Sequence, residues 1–159
     1  MAFLKFISKL LNCIFLLMIL LFVLDGFTSV EIKSQAIKSF AYLGILLLTP
    51  ILFLWNLFLL KSSKWKLLSS FVLIVIMVGI VMIGPIKLVY ASAAWQTQAV
   101  LYQHAHLQVK KVEFQLQDVG ALGINRRTVE VLYLTPLFIL VGPVDKNINS
   151  QIEWIKVDN

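Results

Sequence analysis

The sequence predicts an integral membrane protein, α-helical with three transmembrane helices, that carries a small C-terminal antiparallel β meander. Three observations predict it. The 159 residues are 60% hydrophobic and only 14% charged, a balance that a soluble chain of this length cannot hide in one core. Three long apolar runs occupy residues 1–90, and beyond Tyr90 continuous apolar character gives way to alternation, the mark of half-buried strands. The domain division follows: a transmembrane region over 1–90, with helices at about 3–24, 40–60 and 67–89, then a β-rich segment over 91–159.

The first run, 10–24, contains no charge, and Phe3, Leu4, Phe6 and Ile7 lengthen it past Lys5 and Lys9, whose amines can snorkel to headgroups. A cleavable signal peptide has the same outline, but the residues from Asp25 to Val30 offer no small-residue cleavage pattern, so retention as an anchor is expected. The single cysteine, Cys13, lies inside this run; a disulfide within the chain and a cysteine metal cluster are both excluded. Its place ahead of the apolar stretch is wrong for lipoprotein processing.

The second run, 40–60, is 21 residues without a charge, enough at about 1.5 Å per residue to cross a bilayer core. Thr49 and Pro50 sit at its middle, where proline removes a backbone donor and a kink is expected. The third run, 67–89, carries only Lys87. Gly79 and Gly84 are five apart, off the four-residue spacing of a small-residue packing face, and Gly84-Pro85 is expected to bend or end the helix. The short connector 61–66 folds runs two and three into an antiparallel hairpin.

The net charge of +6 belongs wholly to the first ninety residues, where eight Lys face Asp25 and Glu31; residues 91–159 are neutral. These cations flank apolar runs and read as topology signal and lipid contact, which excludes nucleic acid as a partner and leaves the lipid bilayer as the first one. With the N-terminus in the cytoplasm, the inner flanks hold Lys5, Lys9, Lys61, Lys64 and Lys66, and the outer flanks hold Lys33, Lys38 and Lys87. Trp55 and Trp65 fall near one interface and Tyr42, Tyr90 and Trp95 near the other. The expected address is the cytoplasmic membrane, multi-pass, with the C-terminal segment outside the cytoplasm.

In that segment, Val112, Phe114 and Leu116 alternate with Glu113, Gln115 and Gln117, and Val129, Val131 and Tyr133 alternate with Thr128 and Glu130. The glycines and asparagine of 118–125 suit a hairpin turn with positive backbone angles. An earlier strand over 96–106, a turn over 142–149 and a closing strand over 151–157 complete a four-stranded meander, apolar side inward. Residues 131–144 are apolar apart from Thr135, but they are too short to span and Pro136 interrupts them. A strand ending near Pro136 with an apolar continuation is preferred to a fourth membrane segment, which would return the C-terminus to the cytoplasm. Some 65 residues approach the lower limit for an independent core, so this segment is expected to need a partner surface: the membrane, its own helices, a second copy or another protein.

Chemistry-bearing residues are sparse. His104 and His106 are spaced to share a metal ion from one side of a strand, with Glu113 or Asp118 as a third ligand, but two His without Cys are a weak metal signal and read first as solvated side chains. Arg126-Arg127 follows the hairpin turn, where a solvated pair bonded to Glu130 or Asp118 is preferred to a carboxylate or lipid phosphate site. No charged residue sits at mid-membrane, which argues against a pump acting alone. Phosphate-binding glycine loops, Gly-x-Ser-x-Gly, His-Glu-x-x-His and paired carboxylates are all missing from the sequence. No catalytic residue, cofactor site or enzyme activity is therefore assigned. The expectation is an accessory or scaffold component whose sheet docks onto a partner; the alternative is a subunit of a membrane transport or channel complex.

Overall fold

Residues 2–59, 63–145 and 153–157 are described by the computed structural model. Four helices form, α1 (Ala2–Phe27), α2 (Gln35–Leu59), α3 (Ser63–Ile83) and α4 (Pro85–Ala91), with six strands, β1 (Val30–Ile32), β2 (Gln96–His104), β3 (Lys110–Asp118), β4 (Ile124–Tyr133), β5 (Phe138–Gly142) and β6 (Trp154–Lys156). Phe6–Phe27 and Gln35–Phe58 are each long and apolar enough to cross a membrane. Leu67–Ile83 and Pro85–Ala91 qualify together as a third stretch, bent by 81° at the break. Gly84, at φ 95°, makes that bend, because it adopts a backbone angle closed to other residues and is followed by a proline that cannot continue the ladder.

Two compact units divide the chain, one of Met1–Phe22 with Ser39–Ser92 and one of Val23–Lys38 with Ala93–Asn159. In the helical unit, Phe15, Leu52 and Leu73 form a buried cluster contributed by α1, α2 and α3, and Ala41, Tyr42 and Leu88 form a second. Gly44 allows close approach: a Cβ built there would lie 2.5 Å from the Met18 sulfur. α2 runs through Pro50 as a single helix. The buried Thr49 hydroxyl donates to the Ile45 carbonyl at 2.5 Å, one residue from the carbonyl that Pro50 leaves without its usual donor. Asn56, also buried, donates from Nδ2 to the Ser69 hydroxyl at 2.7 Å, a hydrogen bond from α2 to α3.

The second unit is a six-stranded sheet, antiparallel throughout, in the order β1-β5-β4-β3-β2-β6. Its centre, β2 to β5, is a meander. The expected four strands are thus corrected to six, and the sheet is not confined to the C-terminal segment, because β1 comes from the connector between α1 and α2. Val30, Glu31 and Ile32 pair with Leu140, Ile139 and Phe138. The apolar continuation after Pro136 is itself β5, so residues 131–144 turn back within the sheet. The Gly120 and Gly123 of the β3–β4 turn have positive φ, as the composition predicts, and Asp118 Oδ1 accepts from the Gly120 N–H at 2.8 Å. The connector around residues 60–62 and the second half of the turn expected at 142–149, residues 146–149, lie outside the described residues.

Asp25 and Lys38 close the connector into a loop. Their side chains pair at 3.0 Å, 2% and 6% exposed, and the second Asp25 oxygen accepts from the Ile32 N–H at 2.7 Å. The backbone bonds Val141 N–H to Ser29 O and Lys33 N–H to Leu137 O flank the β1–β5 contact, which makes Val30–Leu140 a non-hydrogen-bonded pair with closely opposed side chains. In a chain with Cys13 replaced by Ala, Val30→Cys with Leu140→Cys is expected to form a disulfide on mild oxidation. Val30→Cys with Ile139→Cys, on opposite faces, is expected to stay reduced. Equal cross-linking of both pairs, read by thiol labelling, would show that β1 does not hold this register.

Candidate functional site

Alternation along β3 predicted an apolar face inward and a polar face outward; the structure covers the polar face, and on the apolar one only Val112 is fully buried. Glu113, Gln115 and Gln117 are 1%, 0% and 8% exposed, while Phe114 and Leu116 are only half-buried. A carboxylate and two amides are covered because their partners arrive on the same face from elsewhere in the chain.

Glu113 is the centre. Tyr133 of β4 donates its hydroxyl to Oε1 at 2.6 Å; Thr97 of β2 and Gln115 of β3 donate to Oε2, and Lys33, just past β1, lies 3.4 Å from that oxygen. Lys33 also donates to the Thr97 hydroxyl at 2.8 Å and to the Tyr133 oxygen. Two residues along β3, a second rung repeats the plan. Arg127 of β4 donates from Nε to Gln115 Oε1 at 3.0 Å and makes a two-pronged ion pair with Glu31 of β1, Nη1 to Oε1 at 2.7 Å. The guanidinium carbon stands 4.0 Å from the centre of the Trp95 ring, a stacking contact that suits its planar, weakly hydrated charge. A third rung joins Gln117 to the Ala93 carbonyl at 2.8 Å and to Asn125 at 3.1 Å.

Burial pushes the Glu113 carboxyl up, but the hydrogen bonds from Thr97, Tyr133 and Gln115, with the Lys33 charge, outweigh it and hold Glu113 below the ordinary carboxylate value. Burial, with the adjoining Glu113 as acceptor and charge, pushes Tyr133 up to about 12. Near neutral pH the first is ionised and the second is neutral.

Beside this network an open groove of about 700 Å³ runs between the β2–β3 and β4–β5 turns, with Lys33, Lys111 and Tyr133 among its walls. Lys111 approaches the Tyr133 ring at 5.8 Å and has no carboxylate partner among the described residues, whereas its neighbour Lys110, on the other face, pairs with Glu130 at 3.0 Å.

The residues singled out from sequence fare differently. His104 ends β2 and His106 lies in the turn beyond it, so the two do not share a strand face. His104 Nδ1 accepts from the backbone N–H groups of His106 and Leu107 at 3.2 and 3.3 Å, and Nε2 stands 3.4 Å from Glu153. Glu113 and Asp118, suggested as third ligands, are bonded elsewhere, and among the described residues no three His, Cys, Asp or Glu side chains converge. Arg126 and Arg127 point to opposite faces of β4 and do not act as a pair. Arg127 bonds neither Glu130 nor Asp118 but Glu31, a partner 96 residues away. No protein-family model, curated protein or solved structure matches this chain.

The pH dependence follows from these two groups. The stability that ionised Glu113 contributes is complete above its ordinary value of 4.5 and drains as pH falls through its lower folded value. Neutral Tyr133 contributes below its ordinary value of 10, and that contribution is lost as pH rises toward about 12. Glu113→Gln is expected to cost about 2 kcal/mol, since it leaves a half-buried Lys33 without its carboxylate, and to reduce the acid-side loss. Thermal unfolding in neutral detergent, followed by near-ultraviolet circular dichroism from pH 3 to 12, checks both points; an unchanged acid limb in the variant would place its cause elsewhere.

Proposed function

We propose that this chain is a multi-pass protein of the cytoplasmic membrane whose sheet stands outside the cytoplasm as a non-catalytic docking platform, an accessory or scaffold component of a larger assembly. The contrast between the two sheet faces carries this reading. One face is closed by its own ion pairs and amides. The other sets Phe114, Leu116 and Leu132, half-buried, and Leu140 and Ile124, 40% and 56% exposed, around Arg126, Thr128 and the Lys110–Glu130 ion pair, a mixed apolar and charged surface of the kind that contacts partners. A sheet that pairs the polar groups of one face internally and leaves apolar side chains exposed on the other is suited to adhesion.

The lysine asymmetry supports the orientation, five on the inner flanks against three on the outer. Two of the outer three, Lys33 and Lys38, are held in ion pairs with Glu113 and Asp25. In intact cells, an impermeant thiol reagent is expected to label Ala121→Cys in the β3–β4 turn and to spare Lys64→Cys. A photo-cross-linking residue at Leu140 is expected to give one discrete adduct, with another protein or a second copy, and one at Ala121 none. A protein that stays monomeric and unlinked from Leu140 in its native membrane would remove the docking role, and reversed labelling would move the search for a partner to the cytoplasm.

A further inference from the structure

We infer that the groove beside Tyr133 is a binding site for the phosphate-bearing headgroup of an anionic phospholipid; the inference rests on the membrane reading above and adds a ligand to it. Its walls combine what such a ligand needs. Among the described residues Lys111 has no carboxylate partner and no carboxylate lines the groove; Glu113, close by, is 1% exposed. The Thr135 hydroxyl accepts from the Leu137 and Phe138 N–H groups, at 3.2 and 3.1 Å, which leaves its own hydrogen free to donate to an anion. Val109 and Leu134, 48% and 52% exposed, add apolar walls for the glycerol and upper acyl region.

The level of the groove points to lipid as the source. Lys33 and Ser34 line it and immediately precede Gln35, where the apolar stretch Gln35–Phe58 begins. That stretch, at about 1.5 Å per residue, is some 36 Å long, slightly more than the hydrocarbon core it would cross. Its first residue therefore sits at the boundary, and the two residues before it fall in the headgroup layer, within about 7 Å of it. Lys33 is committed to Glu113 and Tyr133, so Lys111 is the cation left to choose among headgroups.

The test uses the full chain in uncharged detergent micelles, with phosphatidylglycerol or phosphatidylcholine added and bound lipid counted by native mass spectrometry. Phosphatidylglycerol is expected to be retained over phosphatidylcholine, and Lys111→Gln to weaken its retention about five-fold, the effect of one basic residue at an anionic surface. Arg126→Gln removes the same charge from the opposite face and is expected to change nothing. Leu134→Asn is expected to weaken lipid retention while leaving any competition by inorganic phosphate untouched. Equal losses in the Lys111 and Arg126 variants, or none in either, overturn the site. Displacement of the lipid by millimolar inorganic phosphate, with the Leu134 variant unaffected, overturns lipid as the source. A chain that disperses without detergent overturns the membrane reading itself, whereas a chain that needs detergent but ignores Lys111 overturns the groove alone.

Discussion

The ionised carboxylate of Glu113, 1% exposed at the middle of the sheet, is the constraint on which the strand-built unit turns. A charge so placed is tolerable only when donors surround it, and here they come from four separate segments: Lys33 from the helix connector, Thr97 from β2, Gln115 from β3 itself and Tyr133 from β4. Satisfying one oxygen pair therefore demands that strands distant in sequence stand in one register. The interaction is less a source of net stability than a condition that misaligned arrangements fail.

The charges on β1 show how specific that condition is. Glu31 and Lys33 alternate on one face, as do Gln115 and Glu113, and the acid of one segment meets the base supplied by the other side: Glu31 with Arg127, Lys33 with Glu113. A slip of one residue would turn both ionic side chains of β1 away and bring Val30 and Ile32 against the polar rungs. A slip of two would carry Lys33 toward Arg127 and set like charges together. Three strand residues are too few to fix a register by hydrogen bonds alone; the charge pattern supplies the discrimination that length cannot.

What could be read from the sequence, and what could not, follows from the same geometry. Local signals were sufficient where the cause is local. The alternation of 112–117 marks a strand, Gly120 and Gly123 mark the turn that needs positive φ, and Gly84-Pro85 marks the 81° bend. β1 escaped because three residues between two helices carry no periodicity, and its partner β5 lies more than a hundred positions away. The covering of the polar face of β3 escaped for a related reason: alternation reveals that two faces differ, not which one is covered. Covering a face that carries Glu113 and Gln115 becomes favourable only once Lys33 and Arg127 are known to lie over it. A lysine just before an apolar helix reads as a flank charge, and nothing in its neighbours says that it belongs to a sheet.

The pairing of β1 with β5 also constrains how the chain can thread a bilayer. β1 lies between α1 and α2, and β2 to β6 follow α4, yet all six strands share one sheet. Strands hydrogen-bonded to one another must be on one side of a membrane, because a sheet with open edges cannot be completed through hydrocarbon. If α2 crosses, the chain must cross once more between the end of α2 and Gln96, and the bent apolar pair Leu67–Ile83 with Pro85–Ala91 stands there. The same parity removes a further span at 131–144, since those residues pair within the sheet that a fourth crossing would divide. It holds whether or not α1 also crosses, so the common side of the connector and the C-terminal strands depends on hydrogen-bonded register alone, and the lysine count is left only the choice of which side that is.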